Sequence, residues 1–129
     1  WITLQQGVDF VLASFARMQG GELYVPKIPS ARITDLARAV APDAPTRIVG
    51  IRPGEKLHEM MCPRDDAHLT LEFADHYVVR PAITFSTPVN QEVNALGERG
   101  RPVPPDFEYG SEHNPHFMSV EDLRHLVAQ

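Results

Sequence analysis

Helical and extended periodicities alternate through the first sixty residues of this chain, and that alternation restricts the fold more than any other feature. Thr3 followed by Gln6 makes a capping-box start, after which Leu4, Val8, Val11, Leu12, Phe15 and Met18 recur on one helical face as far as Gly20 and Gly21. The stretch ELYVP, residues 22–26, alternates and is β-rich, so it predicts a strand, and KIPSAR after it predicts a loop. A second helix is expected from about Thr34, with Ile33, Leu36, Ala37 and Val40 inward and Pro42 closing it. TRIVGI, 46–51, predicts the next strand, feeding a third helix whose Leu57, Met60 and Met61 form a buried stripe. Helix, strand, helix, strand, helix is the order of α/β proteins with a largely parallel sheet, where ligands gather at the carboxyl ends of the strands. Lys27 and Arg52 each follow directly on a predicted strand.

Beyond Cys62 the pattern loosens. LTLEF (69–73), HYVVR (76–80) and AITFS (82–86) are strand-like, and ERGRPVPPDFEYGSEHNPHF is Pro-rich loop. A last helix is expected to begin at Ser119, with Asp122 completing a second capping box and Val120, Leu123, Leu126 and Val127 inward.

At 129 residues the chain is long enough to bury a core as one domain, and its opening phrase WITL, without an initiator Met, reads as a piece of a longer protein. Twelve basic against seventeen acidic residues give a net charge of −5, so no general attraction to nucleic acid or anionic lipid is expected. No apolar run is long enough to span a bilayer. Cys62 is the one cysteine, which rules out an internal disulfide and fits a reducing cytoplasm.

The sequence contains no G-x-G-x-x-G, no G-x-x-x-x-G-K-[ST] and no G-x-S-x-G, so it carries no nucleotide loop or nucleophile elbow of its own. Its strongest local signal is RPGE at 52–55. Pro53 suits a first helical turn, which would leave the N–H groups of Gly54 and Glu55 near the positive end of the helix dipole, beside the Arg52 guanidinium. A phosphate would be met by both. The alternative is that Glu55 reaches back to cap the helix start while Arg52 is solvated. His58 and Cys62 sit four apart, like the ligand pair of an H-E-x-x-H zinc helix, but Pro63 follows at once and no third ligand cluster has metal spacing; no metal site is expected. The His113–His116 pair in HNPH predicts hydrogen-bonded or solvated loop histidines. Tyr24, Tyr77 and Tyr109 lack the Tyr-x-x-x-Lys spacing of a dehydrogenase base and read as core or interface aromatics.

The phrases WITLQQGVDFVL, GGELYVPKIPSARITDLA, IVGIRPGEKLHE and DFEYGSEHN, taken together, closely resemble the C-terminal part of inverting UDP-N-acetylglucosamine 4,6-dehydratases, extended short-chain dehydrogenase/reductase enzymes of pseudaminic acid biosynthesis. The resemblance covers essentially the whole chain. It implies an α/β, Rossmann-type fold of which residues 1–129 form the sugar-nucleotide-binding C-terminal part, with a Pro-rich loop at about 99–118 and a C-terminal helix. In the family the N-terminal half binds NADP and carries the catalytic Asp, Lys and Tyr. The bound cofactor oxidises C4, water leaves across C5 and C6, and the hydride returns to C6 with inversion at C5. The resemblance therefore implies no catalytic or cofactor-binding residue in this chain, and an inactive fragment. By motif match Arg52 meets the UDP diphosphate, Glu55 faces the uridine ribose, and Lys27 lines the nucleotide more weakly. A related sugar-nucleotide epimerase, a retaining dehydratase, or a non-catalytic binding or oligomerisation module would share these features. The full-length enzyme is expected to be a cytoplasmic homo-oligomer.

Overall fold

The computed structural model describes residues 1–83 and 91–128. Its elements run α1 (Leu4–Arg17), β1 (Leu23–Pro26), α2 (Ile33–Val40), β2 (Met60–Cys62), a 3₁₀ helix (Arg64–Leu69), β3 (Thr70–Glu72), β4 (His76–Val79), β5 (Arg101–Pro102), β6 (Tyr109–Gly110) and α3 (Val120–Val127). Both expected capping boxes form. Thr3 Oγ1 accepts from the Gln6 N–H while Gln6 returns a bond to the Thr3 N–H, and Ser119 and Asp122 do the same for α3.

The protein is α/β, but its sheet is not parallel. Four strands lie in the order β1-β4-β3-β5 with every pairing antiparallel, and β2 pairs antiparallel with β6 in a separate two-stranded ribbon. The neighbour of β1 is β4, with Leu23 opposite Val79 and Pro26 opposite His76. The periodicity identified β1, β3 and β4 as strands; it could not say which strand would dock beside which. TRIVGI is not a strand. It finds no ladder partner among the described residues, and Ile48 and Val49 are 96% and 78% exposed. AITFS falls largely outside the described residues.

The expected third helix is absent too, for a reason visible in its sequence. Pro53 and Gly54, the latter at φ +80°, occupy the middle of a turn closed by the Glu55 N–H on the Arg52 carbonyl at 3.1 Å. Pro followed by a positive-φ Gly is the type II turn pattern, and it reverses the chain where a helix would have to continue. Leu57 stays 80% exposed, and Met60 and Met61 enter β2.

Alternation along β4 places apolar residues on both faces of the sheet. One face packs Val25 and Tyr77 against Cys62 and Tyr109 of the ribbon, with Met61, Val79, Val103 and Phe107 at the margin. The other gathers Leu71, Phe73, Val78 and Tyr24, and here the fully buried His76 ring stacks on Phe73 at 4.6 Å. Helix α1 meets this side through Phe10, edge-on to His76, and through Arg17, whose guanidinium pairs with Asp75 and Glu98. Its apolar stripe of Leu4, Val8, Val11, Leu12, Phe15 and Met18 faces away and is exposed, contrary to the inward placement of an amphipathic helix. Helices α2 and α3 pack together around the buried Leu123, while Ile33, Val40 and Val127 remain exposed.

Candidate functional site

Arg52 projects from the tight turn into solvent, its side chain 86% exposed. Glu55 Oε2 accepts the Arg52 backbone N–H at 2.9 Å, and Oε1 lies 3.1 Å from Nη2. The reach-back of Glu55 therefore occurs, without a helix to cap. These hydrogen bonds, the side-chain one first, hold the Glu55 carboxyl below the usual glutamate range. Arg52 thus presents an oriented guanidinium whose present partner is a surface carboxylate.

Lys27 directly follows β1, but its ammonium turns inward along the β3–β4 turn. Nζ donates to Glu72 Oε1 and to the Phe73 carbonyl, both at 2.7 Å, and lies 4.9 Å from the centre of the Tyr77 ring. These bonds tie the beginning of the KIPS loop to the sheet. The strand-end rule that placed both cations presupposes a parallel sheet. In this antiparallel one Arg52 stands at a turn, not at a strand end.

A polar network that spacing alone does not reveal joins the KIPS loop to the segment after β6. Tyr109 Oη accepts the Ile28 N–H at 2.9 Å and donates to the Ile28 carbonyl at 3.0 Å. Asn114 Nδ2 donates to the same carbonyl and to Ser30 Oγ, while its Oδ1 accepts the His116 N–H. Ser30 completes the clamp with backbone bonds to His116 and Met118. Tyr109, Asn114 and Ser30 are all buried, so the network is rigid and satisfied.

Between these two segments lies a groove of about 350 Å³. Ile28, Pro29, Ser30 and Ala31 form one wall, Tyr109, Gly110, Ser111 and Asn114 the other, and Met61, Glu59 and Trp1 complete it. Ser111 Oγ accepts the Glu59 N–H, and the Ser111 N–H returns to the Glu59 carbonyl, fixing Glu59 at the rim.

His58 and Cys62 do not share a helix. His58 is half exposed, 3.9 Å from Glu112, whereas Cys62 is fully buried, its thiol pushed up to about 11 by burial and by the Asp66 charge. His113 lies 3.9 Å from both Glu108 and Glu112. Among the described residues no group of three or more His, Cys, Asp or Glu is arranged to hold a metal. No described helix is long and apolar enough to cross a membrane.

The family model for polysaccharide biosynthesis proteins matches residues 1–81, more than half of the chain. The chain belongs to that family. The chain is 50% identical over 128 residues to the UDP-N-acetylglucosamine 4,6-dehydratase (inverting) of Campylobacter jejuni subsp. jejuni serotype O:2. It is 49% identical over 131 residues to the protein of the same name from serotype O:23/36. Each match covers 98% of this chain and 38% of the relative, so this family member spans less than two-fifths of the length of those curated relatives. The X-ray structure of Pen from Bacillus thuringiensis superposes with a TM-score of 0.73 over 98% of this chain and 37% of that one; at 21% identity this likeness shows the fold alone. The resemblance to inverting dehydratases expected from the KIPS and RPGE phrases is thereby shown.

Proposed function

We propose that this chain is the UDP-sugar-binding portion of an NADP-dependent UDP-N-acetylglucosamine 4,6-dehydratase with inversion at C5, a lyase that acts first in pseudaminic acid biosynthesis. The observation that carries the reading is the identity of about half of all positions with two inverting dehydratases along nearly the entire chain.

The chain's own residues do not fit the dinucleotide. The β1–α2 connection, Lys27–Arg32, contains no glycine, and Gly20, Gly50, Gly54 and Gly97 are positive-φ turn residues with open space where a Cβ would stand, not a close cradle for a pyrophosphate. NADP belongs, in this reading, to a part of the protein outside these residues, and no oxidation or elimination step is assigned to this chain.

Its part is to hold and orient the sugar nucleotide. Arg52 offers a planar fork to the diphosphate, stronger and more directional than its present exposed contact with Glu55. Transfer of the guanidinium to phosphate releases the Glu55 carboxylate to accept from a ribose hydroxyl. Lys27 acts through the KIPS loop that it anchors. In the complete protein these elements work in a cytoplasmic homo-oligomer.

Calorimetric titration of UDP-N-acetylglucosamine and GDP-mannose into the chain tests the reading. Saturable one-to-one binding of the UDP-sugar alone is expected; equal binding of both, or of neither, contradicts it.

A further inference from the structure

We infer that the free edge of β1, roofed by α1, takes an added β-strand from the part of the protein that lies outside these residues. This rests on the reading of the chain as one portion of a longer enzyme, and it names the surface through which that portion joins the rest. β1 is a terminal strand, and among the described residues only β4 pairs with it. The Lys27 N–H donates to the Asp75 carbonyl at 3.0 Å. Alternation from that bond back along the register turns the backbone groups of Val25 and Leu23 toward β4 and those of Tyr24 and Pro26 away from it. The open edge therefore offers the Tyr24 N–H, the Tyr24 carbonyl and the Pro26 carbonyl. It is bounded at Ile28, whose N–H and carbonyl are both bonded to Tyr109 Oη.

A groove of about 250 Å³ runs beside this edge. Phe10, Val11, Phe15 and Met18 line it from the helix side, Glu22 and Tyr24 from the strand side, and no residue of β3 or β4 reaches it. It thus lies over the free side of β1 and not over the sheet. Val11, Phe15 and Met18 stay 52%, 66% and 44% exposed, so α1 extends past β1 as an apolar roof above the place of a next strand. A strand laid there would bond to Tyr24 and Pro26 and turn alternate side chains up into the groove.

The length of the relatives favours the rest of the same protein as the source. This chain covers 38% of each Campylobacter relative and 37% of Pen, so more than three-fifths of each lies beyond the match. A second copy suits the edge less well. Antiparallel pairing of two β1 edges about a two-fold axis would bring both α1 helices over one seam, each where the other's roof already stands.

Hydrogen exchange read residue by residue tests this in the chain alone and in the protein expressed from the full reading frame that contains it. The Val25 N–H, bonded to β4, should be protected in both. The Tyr24 N–H should exchange freely in the chain alone and at least about a hundredfold more slowly in the full-length protein. Tyr24→Pro removes that outward N–H, and proline is tolerated at a sheet edge but not within a sheet. It should melt within about 2 °C of Tyr24→Ala in the chain alone and at least about 5 °C below it in the full-length protein. A Tyr24 N–H that exchanges freely in full-length protein able to bind UDP-N-acetylglucosamine overturns the added strand and leaves the UDP-sugar reading standing. Protection in the chain alone that grows with concentration overturns it in favour of a second copy. A reading frame that holds these residues and no more overturns both.

Discussion

Glu55 holds Arg52 by two of that residue's groups at once, the backbone N–H at 2.9 Å and the guanidinium Nη2 at 3.1 Å. Because the folded-state pKa of Glu55 lies below its ordinary value, the contact is present above the usual glutamate range and is lost as pH falls through the depressed value. A carbon-detected NMR titration should find the Glu55 carboxyl midpoint below that of a free glutamate, and Arg52→Ala should raise it. An unchanged midpoint in the variant would show that Arg52 is not its cause.

Cys62 should be inert in the native protein. With its thiol pushed up to about 11, only about one molecule in a thousand carries the reactive thiolate at pH 8, and the side chain is fully buried. An aromatic disulfide reagent at pH 8 should label it only after denaturant is added. Stoichiometric labelling of the native chain within seconds would contradict its placement.

Gly100 lies against the second core cluster. A Cβ there would stand 2.6 and 2.7 Å from Phe73 ring carbons and 3.0 Å from Leu71 Cβ. Gly100→Ala should therefore destabilise by about 1–3 kcal/mol through overpacking, read as a lower urea midpoint with an unchanged slope. A variant as stable as the parent would mean that the ring moves freely aside.

The exposed stripe of α1 should make the isolated chain self-associate. Leu12 is 63% and Phe15 66% exposed beside Leu4 at 86%, a contiguous apolar surface beyond what scattered surface residues present. Sedimentation velocity should show concentration-dependent association that the double variant Leu12→Glu, Phe15→Glu abolishes. Persistent association in that variant would shift the cause elsewhere.

What the sequence made legible was local. The Thr3–Gln6 and Ser119–Asp122 boxes close within four residues, so their hydrogen bonds are written in adjacent letters. The 46–61 stretch misled because its apolar spacing fits a strand and a helix equally, and only the Pro53–Gly54 pair signals the turn that forms. The antiparallel partner of β1 arrives some fifty residues later, and the orientation of Lys27 depends on carbonyls at Phe73 and Ala74. The reach-back of Glu55 to the Arg52 N–H was legible in the RPGE motif. Ser30, Tyr109 and Asn114 were not, since the bonds that join them span more than eighty residues.

We propose that Arg52 meets the ligand's diphosphate, and titration of UDP into the chain at fixed salt decides it. Arg52→Ala removes charge-assisted bonds worth about 1.5–3 kcal/mol, so affinity should fall about ten- to a hundred-fold, and Arg52→Lys should also weaken binding because a point charge replaces a fork. Glu55→Gln should weaken it less, an amide oxygen still accepting from a ribose hydroxyl. If Arg52→Ala binds UDP as tightly as the parent chain, Arg52 serves only to pair with Glu55 and the phosphate assignment is wrong.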